Sequence, residues 1–505
     1  MSTNNNRQIR INYYTNIAAL VANIIVGIYY TPYLVNSLGL IAYGVLPLAL
    51  IINQYIGVTT QTLTHAYTRF YSVALQKEEY QEASVVLSTS LRVILIICVC
   101  IIPIGIFIAG KPDFIFKIPT QLISSAKYLF LYTLLSFLES IFSSLFNVSL
   151  YAINRLDLIN VLKIIRSLVK VILVIFFFEI FYVDISFVGL TNFIIETIVL
   201  LLSIHFFNRY KPKEVTISLN SYNKQTLYGI LGMSLWVLIQ LCGDTLIYRT
   251  DTIVINRYWG TEASGIVGII SEIGRYVSTC VSVIGSLFGP LILIAFAKNN
   301  HDDVKKSFII QSTIVGCFTA ILTGLISGCG ASILNLWIGE GMGVYKWWLF
   351  LKMITLPYFA AGGIFAFVYR SWNRMKLPAI GTIILGIIDI IILIGVCEVV
   401  KPSNPLIILV IVALISFLQC FLLGAISVIR IYSDCKYKFI GITGKISLSF
   451  IICYIIGTFF IKIIEVSSFI ELLLLLVVLG IIMGMTVCFV IFSKEERKET
   501  FKLIH

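Results

Sequence analysis

The chain has 505 residues, of which 59% are hydrophobic and only 12% charged, with a net charge of +12. A soluble globular protein has no use for that much apolar surface, so a soluble enzyme is excluded. A nucleic-acid binder is excluded too, because the basic residues sit in short stretches between apolar segments, where membrane orientation places them.

Segments of about 20 apolar residues recur along the whole length, each enough to cross ~30 Å of hydrocarbon as a helix. A transmembrane barrel would show short alternating strands instead. Fourteen spans are predicted, near 11–34, 40–66, 86–110, 126–150, 159–182, 184–206, 226–256, 262–297, 307–332, 346–370, 378–399, 405–430, 445–464 and 469–493. The first is too long for a signal peptide core and lacks a small-residue cleavage site. The expected fold class is therefore an all-α polytopic membrane protein.

Orientation follows from Lys and Arg. One alternate set of loops and span ends holds 27 of the 37 basic residues, among them Arg69, Lys163, Arg166, Lys170 and Arg374. The opposite set holds eight, including Lys111, Lys117, Arg257 and Lys352. Both ends are then expected in the cytoplasm, as an even number of spans requires.

An internal repeat is visible. Gly39-Leu40-Ile41-Ala42-Tyr43-Gly44 and Gly260-Thr261-Glu262-Ala263-Ser264-Gly265 both read G-x-x-A-x-G at an offset of 221. At the same offset Ala74-Leu75-Gln76-Lys77 matches Ala295-Phe296-Ala297-Lys298. Asn154-Arg155-Leu156-Asp157-Leu158 matches Asn373-Arg374-Met375-Lys376-Leu377 at an offset of 219. The repeat is six spans long, so its copies share one orientation, as in parallel-repeat transporters. The expected organisation is an N-terminal lobe at 1–210, a linker at 211–225, a C-terminal lobe at 226–432, and two extra spans with a tail at 433–505.

Polar residues inside the spans fall on single faces. Span one carries Asn16, Asn23 and Tyr30 at heptad spacing, and span two carries Gln54, Gln61, His65 and Arg69. Span seven carries Asp244, Tyr248 and Asp251 at i, i+4 and i+7, with the charged Arg249 also in the span, and span eight carries Glu272 and Arg275. A charge at the centre of a membrane helix costs roughly 2.5–3.5 kcal/mol, so such residues suggest a protein interior or wet cavity. The repeat maps Asn23 onto Asp244, Tyr30 onto Asp251 and Gln54 onto Arg275, as two lobes lining one cavity would require. Packing offers an alternative: Glu272 could pair with Arg275, and Arg249 with Asp244 or Asp251. Glu139, Glu179, Glu196 and Asp389 stand singly and read as structural. No catalytic constellation, ATPase motif or paired-Cys metal site is visible, and only four His are present.

The 6 + 6 + 2 layout, the G-x-x-A-x-G turn and the N-R-[LM]-x-L segment together resemble one group of known proteins. This is the polysaccharide-transport branch, the O-antigen and capsule repeat-unit flippases, of the multidrug/oligosaccharidyl-lipid/polysaccharide (MOP) exporter superfamily. The family often has an acid where Ile41 sits, and Glu262 keeps that position in the second half. The resemblance implies a V-shaped pair of lobes and alternating access. It implies a non-enzymatic transporter of the bacterial cytoplasmic membrane that moves undecaprenyl-pyrophosphate-linked oligosaccharide to the outer leaflet. Arg249, Arg275 and Arg69 would then meet anionic groups, since Arg offers phosphate a bidentate fork. Asn16, Asn23, Tyr30, Gln54 and Gln61 would meet sugar. Asp244, Asp251 and Glu272 would be the candidates for coupling to H+ or Na+, the membrane potential being the other energy source; no cofactor is implied. Expected partners are the lipid-linked substrate, membrane lipids, a polysaccharide polymerase and a chain-length regulator, with the protein itself a monomer. A cation-coupled multidrug exporter and a lipid II flippase are the alternatives.

Overall fold

The computed structural model describes residues 2–218, 221–298 and 300–504. The side chains at 2–6, 56, 59, 61, 65, 230–234, 283–284, 286–287, 289–290 and 501–504 lie outside that description. Every regular element among the described residues is a helix. In chain order the long ones are α1 (Ser2–Leu38), α2 (Val45–Gln76), α3 (Tyr80–Gly110), α4 (Ile123–Phe146), α5 (Leu156–Ile180), α6 (Ile185–Tyr210) and α7 (Lys224–Trp259). There follow α8 (Thr261–Ala297), α9 (His301–Gly328), α10 (Met342–Ser371), α11 (Lys376–Val399), α12 (Leu406–Ile429), α13 (Ser433–Ile463), α14 (Phe469–Ile491) and α15 (Lys494–Ile504).

Ten of the described helices are long and apolar enough to cross a membrane. The other four expected spans are α2, α5, α7 and α8, continuous helices of 32, 25, 36 and 37 residues. At 1.5 Å per residue these are long enough to span. They carry the polar Gln54, Lys163, Asp251 and Arg275. The protein is an all-helical, multi-pass membrane protein.

The helices gather into two compact units: Met1–Thr245 with Ile255–Gly265, and Leu246–Val254 with Ile266–His505. In the first, α1 lies along α5, and α4 packs against α3 and α6. Its core includes the fully buried Tyr71, Leu87, Leu145 and Val215. Val215 belongs to the segment expected as a linker. That segment is tied to α3, with the Thr216 and Ser218 amides donating to Ser84 Oγ at 3.1 Å and Ser88 Oγ at 3.0 Å.

In the second unit α9 is the central post, buried on most sides. Its hydroxyls Thr313, Thr319 and Thr323 therefore bond back to carbonyls of their own helix. Helix α13, outside the repeat, packs against α9 through Gly316, Gly324 and Gly328. A Cβ at Gly328 would lie 2.5 Å from the Tyr454 carbonyl oxygen, so the backbones approach as closely as small-residue membrane interfaces permit.

The repeat is present in local geometry. Gly39 and Gly260 precede their helices with φ of 76° and 89°, a region open to glycine. Asn154 and Asn373 both adopt left-handed conformations, φ 59° and 52°. The following Arg amides each reach back to the carbonyl five residues earlier, Leu150 and Tyr369, both at 2.8 Å. The Glu79 and Asn300 amides likewise both close on Ala74 and Ala295 carbonyls. Within the first unit the two G-x-x-A-x-G turns pack on each other reciprocally: a Cβ at Gly44 would meet Thr261 O, and one at Gly265 would meet Leu40 O. These four positions exchange under the 221-residue offset.

Candidate functional site

The most deeply buried charges lie in the second unit, where α7, α10 and α11 bring together Asp251, Lys352 and Asp389. Asp251 is fully buried. Its Oδ2 accepts from the Lys352 ammonium, and its Oδ1 accepts from the Thr252 amide at 2.7 Å and hydroxyl at 3.2 Å. Asp389 is also fully buried, and neither carboxylate oxygen has a hydrogen-bond partner among the described residues. The charges acting on it are those of Asp251 and Lys352. Among the described residues the cluster holds two carboxylates and one ammonium, nearly all out of solvent.

The neighbouring charges are arranged differently. Arg275 is paired with Glu272 on the same helix, at 2.6 Å, with the Arg side chain 46% exposed. Tyr248 donates to Gln419 of α12 at 3.0 Å. Arg249 and Asp244 are half-buried on α7.

In the first unit, Asn23 and Tyr30 face α5. The Asn23 amide donates to Ser167 Oγ at 3.3 Å, and Tyr30 is buried beneath the Lys170 ammonium, 4.7 Å from the ring centroid. Asn16, Gln54 and Arg69 are exposed on α1 and α2. Gln61, like His65, has its side chain outside the described residues.

Helix α5 carries a row of cations, Lys163, Arg166 and Lys170, at i, i+3 and i+7. They lie roughly 10, 15 and 21 Å along the helix from Leu156. All three lie inside the predicted span 159–182 and inside the helix that forms there. Lys163 donates to the Asn160 carboxamide at 3.2 Å, and Arg166 binds Glu196 of α6 at 2.7 Å. Facing hydrocarbon, each would cost roughly 2.5–3.5 kcal/mol. Lys352, inside the predicted span 346–370, lies eleven residues into α10 and ends on Asp251.

No protein-family profile matches the sequence. Solved structures do match. The inward-facing form of a multidrug resistance MATE family transporter of the MOP superfamily superposes with a TM-score of 0.67 at 13% identity, covering 84% of this chain and 98% of its own. The lipid II flippase MurJ, in an inward closed conformation, gives a TM-score of 0.67 at 14% identity over 94% of this chain and 98% of MurJ. A mutant of the Vibrio cholerae MATE transporter VcmN gives 0.59 at 12% identity, over 87% and 100%. The fold is that of the MATE transporters and MurJ. In sequence the chain is 23% identical over 385 residues, 75% of each chain, to the uncharacterized membrane protein EpsK of Bacillus subtilis (strain 168).

Within this MATE- and MurJ-like fold the repeat gives the two buried loci a common address. Tyr30 and Asp251 are related by the 221 offset, and Lys170 and Asp389 by the 219 offset of the adjoining Asn-Arg turns. One half thus places an ammonium over a phenol where the other places two carboxylates and a lysine from α10. Carrying the Asn154/Asn373 offset through α5 and α11 was the available signal for Asp389. Nothing in the sequence links Lys352 to Asp251, 101 residues away.

Proposed function

We propose that the protein is a transporter of the MOP superfamily. In this reading it carries undecaprenyl-pyrophosphate-linked oligosaccharide repeat units from the cytoplasmic to the outer leaflet by alternating access. The observation that carries this reading is the positive charge set within spans: Arg249 and Arg275 in one repeat, Lys163, Arg166 and Lys170 in the other. An exporter of cationic drugs is served by an acidic apolar cavity, whereas these residues suit an anionic headgroup. Sugars and a diphosphate cannot cross hydrocarbon with their polar groups unpaired. Polar and cationic walls replace water around them while the lipid tail stays in the bilayer. Coupling falls to Asp251 with Lys352 and Asp389, the cluster of two carboxylates and one ammonium.

The test is transport in proteoliposomes with three cargoes: a fluorescent undecaprenyl-diphosphate oligosaccharide, lipid II and a cationic dye. Movement of the oligosaccharide lipid, together with restored surface polysaccharide in a deletion strain, is the expected result. Dye efflux without lipid movement would reassign the protein as a drug exporter. Movement of lipid II alone would place it with MurJ in activity as well as in fold.

A further inference from the structure

We infer that the cationic row on α5, rather than Arg249 and Arg275 alone, is a binding site for the diphosphate ester of the lipid headgroup. The inference rests on the lipid-linked saccharide reading and deepens it. The α5 row differs from an ordinary topology signal in three ways.

First, it is directional. Val161, Leu168, Ile172 and Ile175 are exposed apolar residues on one face of α5. At about 100° per residue, Lys163, Arg166 and Lys170 fall on the opposite face. Asn160 and Ser167, which bond to α1, lie between the two faces on one side. The cations therefore point away from the lipid stripe, yet Lys163 is exposed and the Arg166 side chain is 41% exposed. Charges both exposed and turned from lipid are placed to meet water or a polar ligand.

Second, the polar contacts of Lys163 with Asn160 and of Arg166 with Glu196 are ones that a diphosphate can replace. Lys163 is held by a neutral carboxamide at 3.2 Å, and Lys170 rests on an aromatic face. Arg166 is held by the Glu196 carboxylate at 2.7 and 2.8 Å. A diphosphate brings more negative charge than Glu196 and offers the guanidinium the same two-oxygen geometry. Third, the rungs are spaced along the helix axis. A headgroup could therefore pass from Lys163 to Lys170 while remaining bonded to Arg166.

The experiment measures binding to the full-length protein in detergent, using undecaprenyl diphosphate, undecaprenol and inorganic pyrophosphate as probes. Wild type should bind undecaprenyl diphosphate, and K163Q/K170Q should bind it about tenfold or more weakly, the loss expected for charge-assisted hydrogen bonds. Undecaprenol binding should not change. E196Q should bind the diphosphate more tightly, because it frees Arg166; this arm decides the matter if K163Q/K170Q does not fold. Unchanged affinity in K163Q/K170Q, or in E196Q where it must decide, overturns the site and leaves the flippase reading standing. No diphosphate binding by wild type overturns both. Displacement by inorganic pyrophosphate at equal concentration overturns the lipid as the source of the anion.

Discussion

Lys352 shows how much one side chain decides. It is the ion-pair partner of the fully buried Asp251. Removing one member of a buried pair strands the other, which typically costs about 3–5 kcal/mol, whereas replacing both by apolar or neutral groups is often tolerated. Lys352→Met should therefore lower the thermal midpoint of the purified protein sharply. The D251N/K352M double variant should recover much of the loss. If the double variant is no more stable than the single, the pair is not what holds α7 against α10. Asp389→Asn should behave oppositely at this scale. Its carboxylate oxygens have no hydrogen-bond partner among the described residues, so neutralising it relieves a buried charge.

At the scale of elements, the strongest structural commitment outside the repeat is the seating of α13 on α9. Gly324 and Gly328 form a G-x-x-x-G pair, and added Cβ atoms would meet backbone atoms of α13 at 2.7 and 2.5 Å. Gly328→Leu should force the helices apart and destabilise the protein by about 1–3 kcal/mol, as overpacking does. Gly480→Leu on α14, where no atom lies within 4 Å, is the matched control. Equal melting of the two variants would remove the glycine interface from the account. Existence and order of the spans were legible because a bilayer demands about 20 apolar residues each time, and the turns were legible because Gly39, Gly260, Asn154 and Asn373 hold backbone conformations that few residues adopt. Pairings across the bundle were not. Asp251 and Lys352 are 101 residues apart, and a lone Lys or Asp in a span looks the same whether it meets solvent, lipid or a partner. Lys163, Arg166 and Lys170 fall inside the predicted span 159–182, but the sequence does not show that Glu196 and Tyr30 are their neighbours.

For the whole molecule, the repeat relates two loci of opposite character, Tyr30 with Lys170 and Asp251 with Asp389. In the proposed transporter the division of labour follows from charge. The cationic row of α5 suits the anionic cargo, and the cluster of Asp251, Lys352 and Asp389 suits a driving cation. The acidic cluster holds two carboxylates against one ammonium, so one bound proton or Na+ neutralises it, and release of that cation restores the imbalance. A ligand shifts a conformational equilibrium only through its different affinity for the two states, so this change in charge must be felt differently by each. A membrane potential adds roughly 2.3 kcal/mol per charge per 100 mV to any step that moves net charge across the bilayer. Asp389→Asn removes one carboxylate charge while leaving the Asp251–Lys352 pair in place. In proteoliposomes, wild-type flipping should accelerate when an H+ or Na+ gradient is imposed, and whichever ion does so is the coupling ion. The Asp389→Asn protein should still bind the lipid and should flip it at a rate indifferent to that gradient. A variant that responds to the gradient as wild type does would show that coupling lies elsewhere, with Asp244 of α7 and Glu272 of α8 to be neutralised in turn.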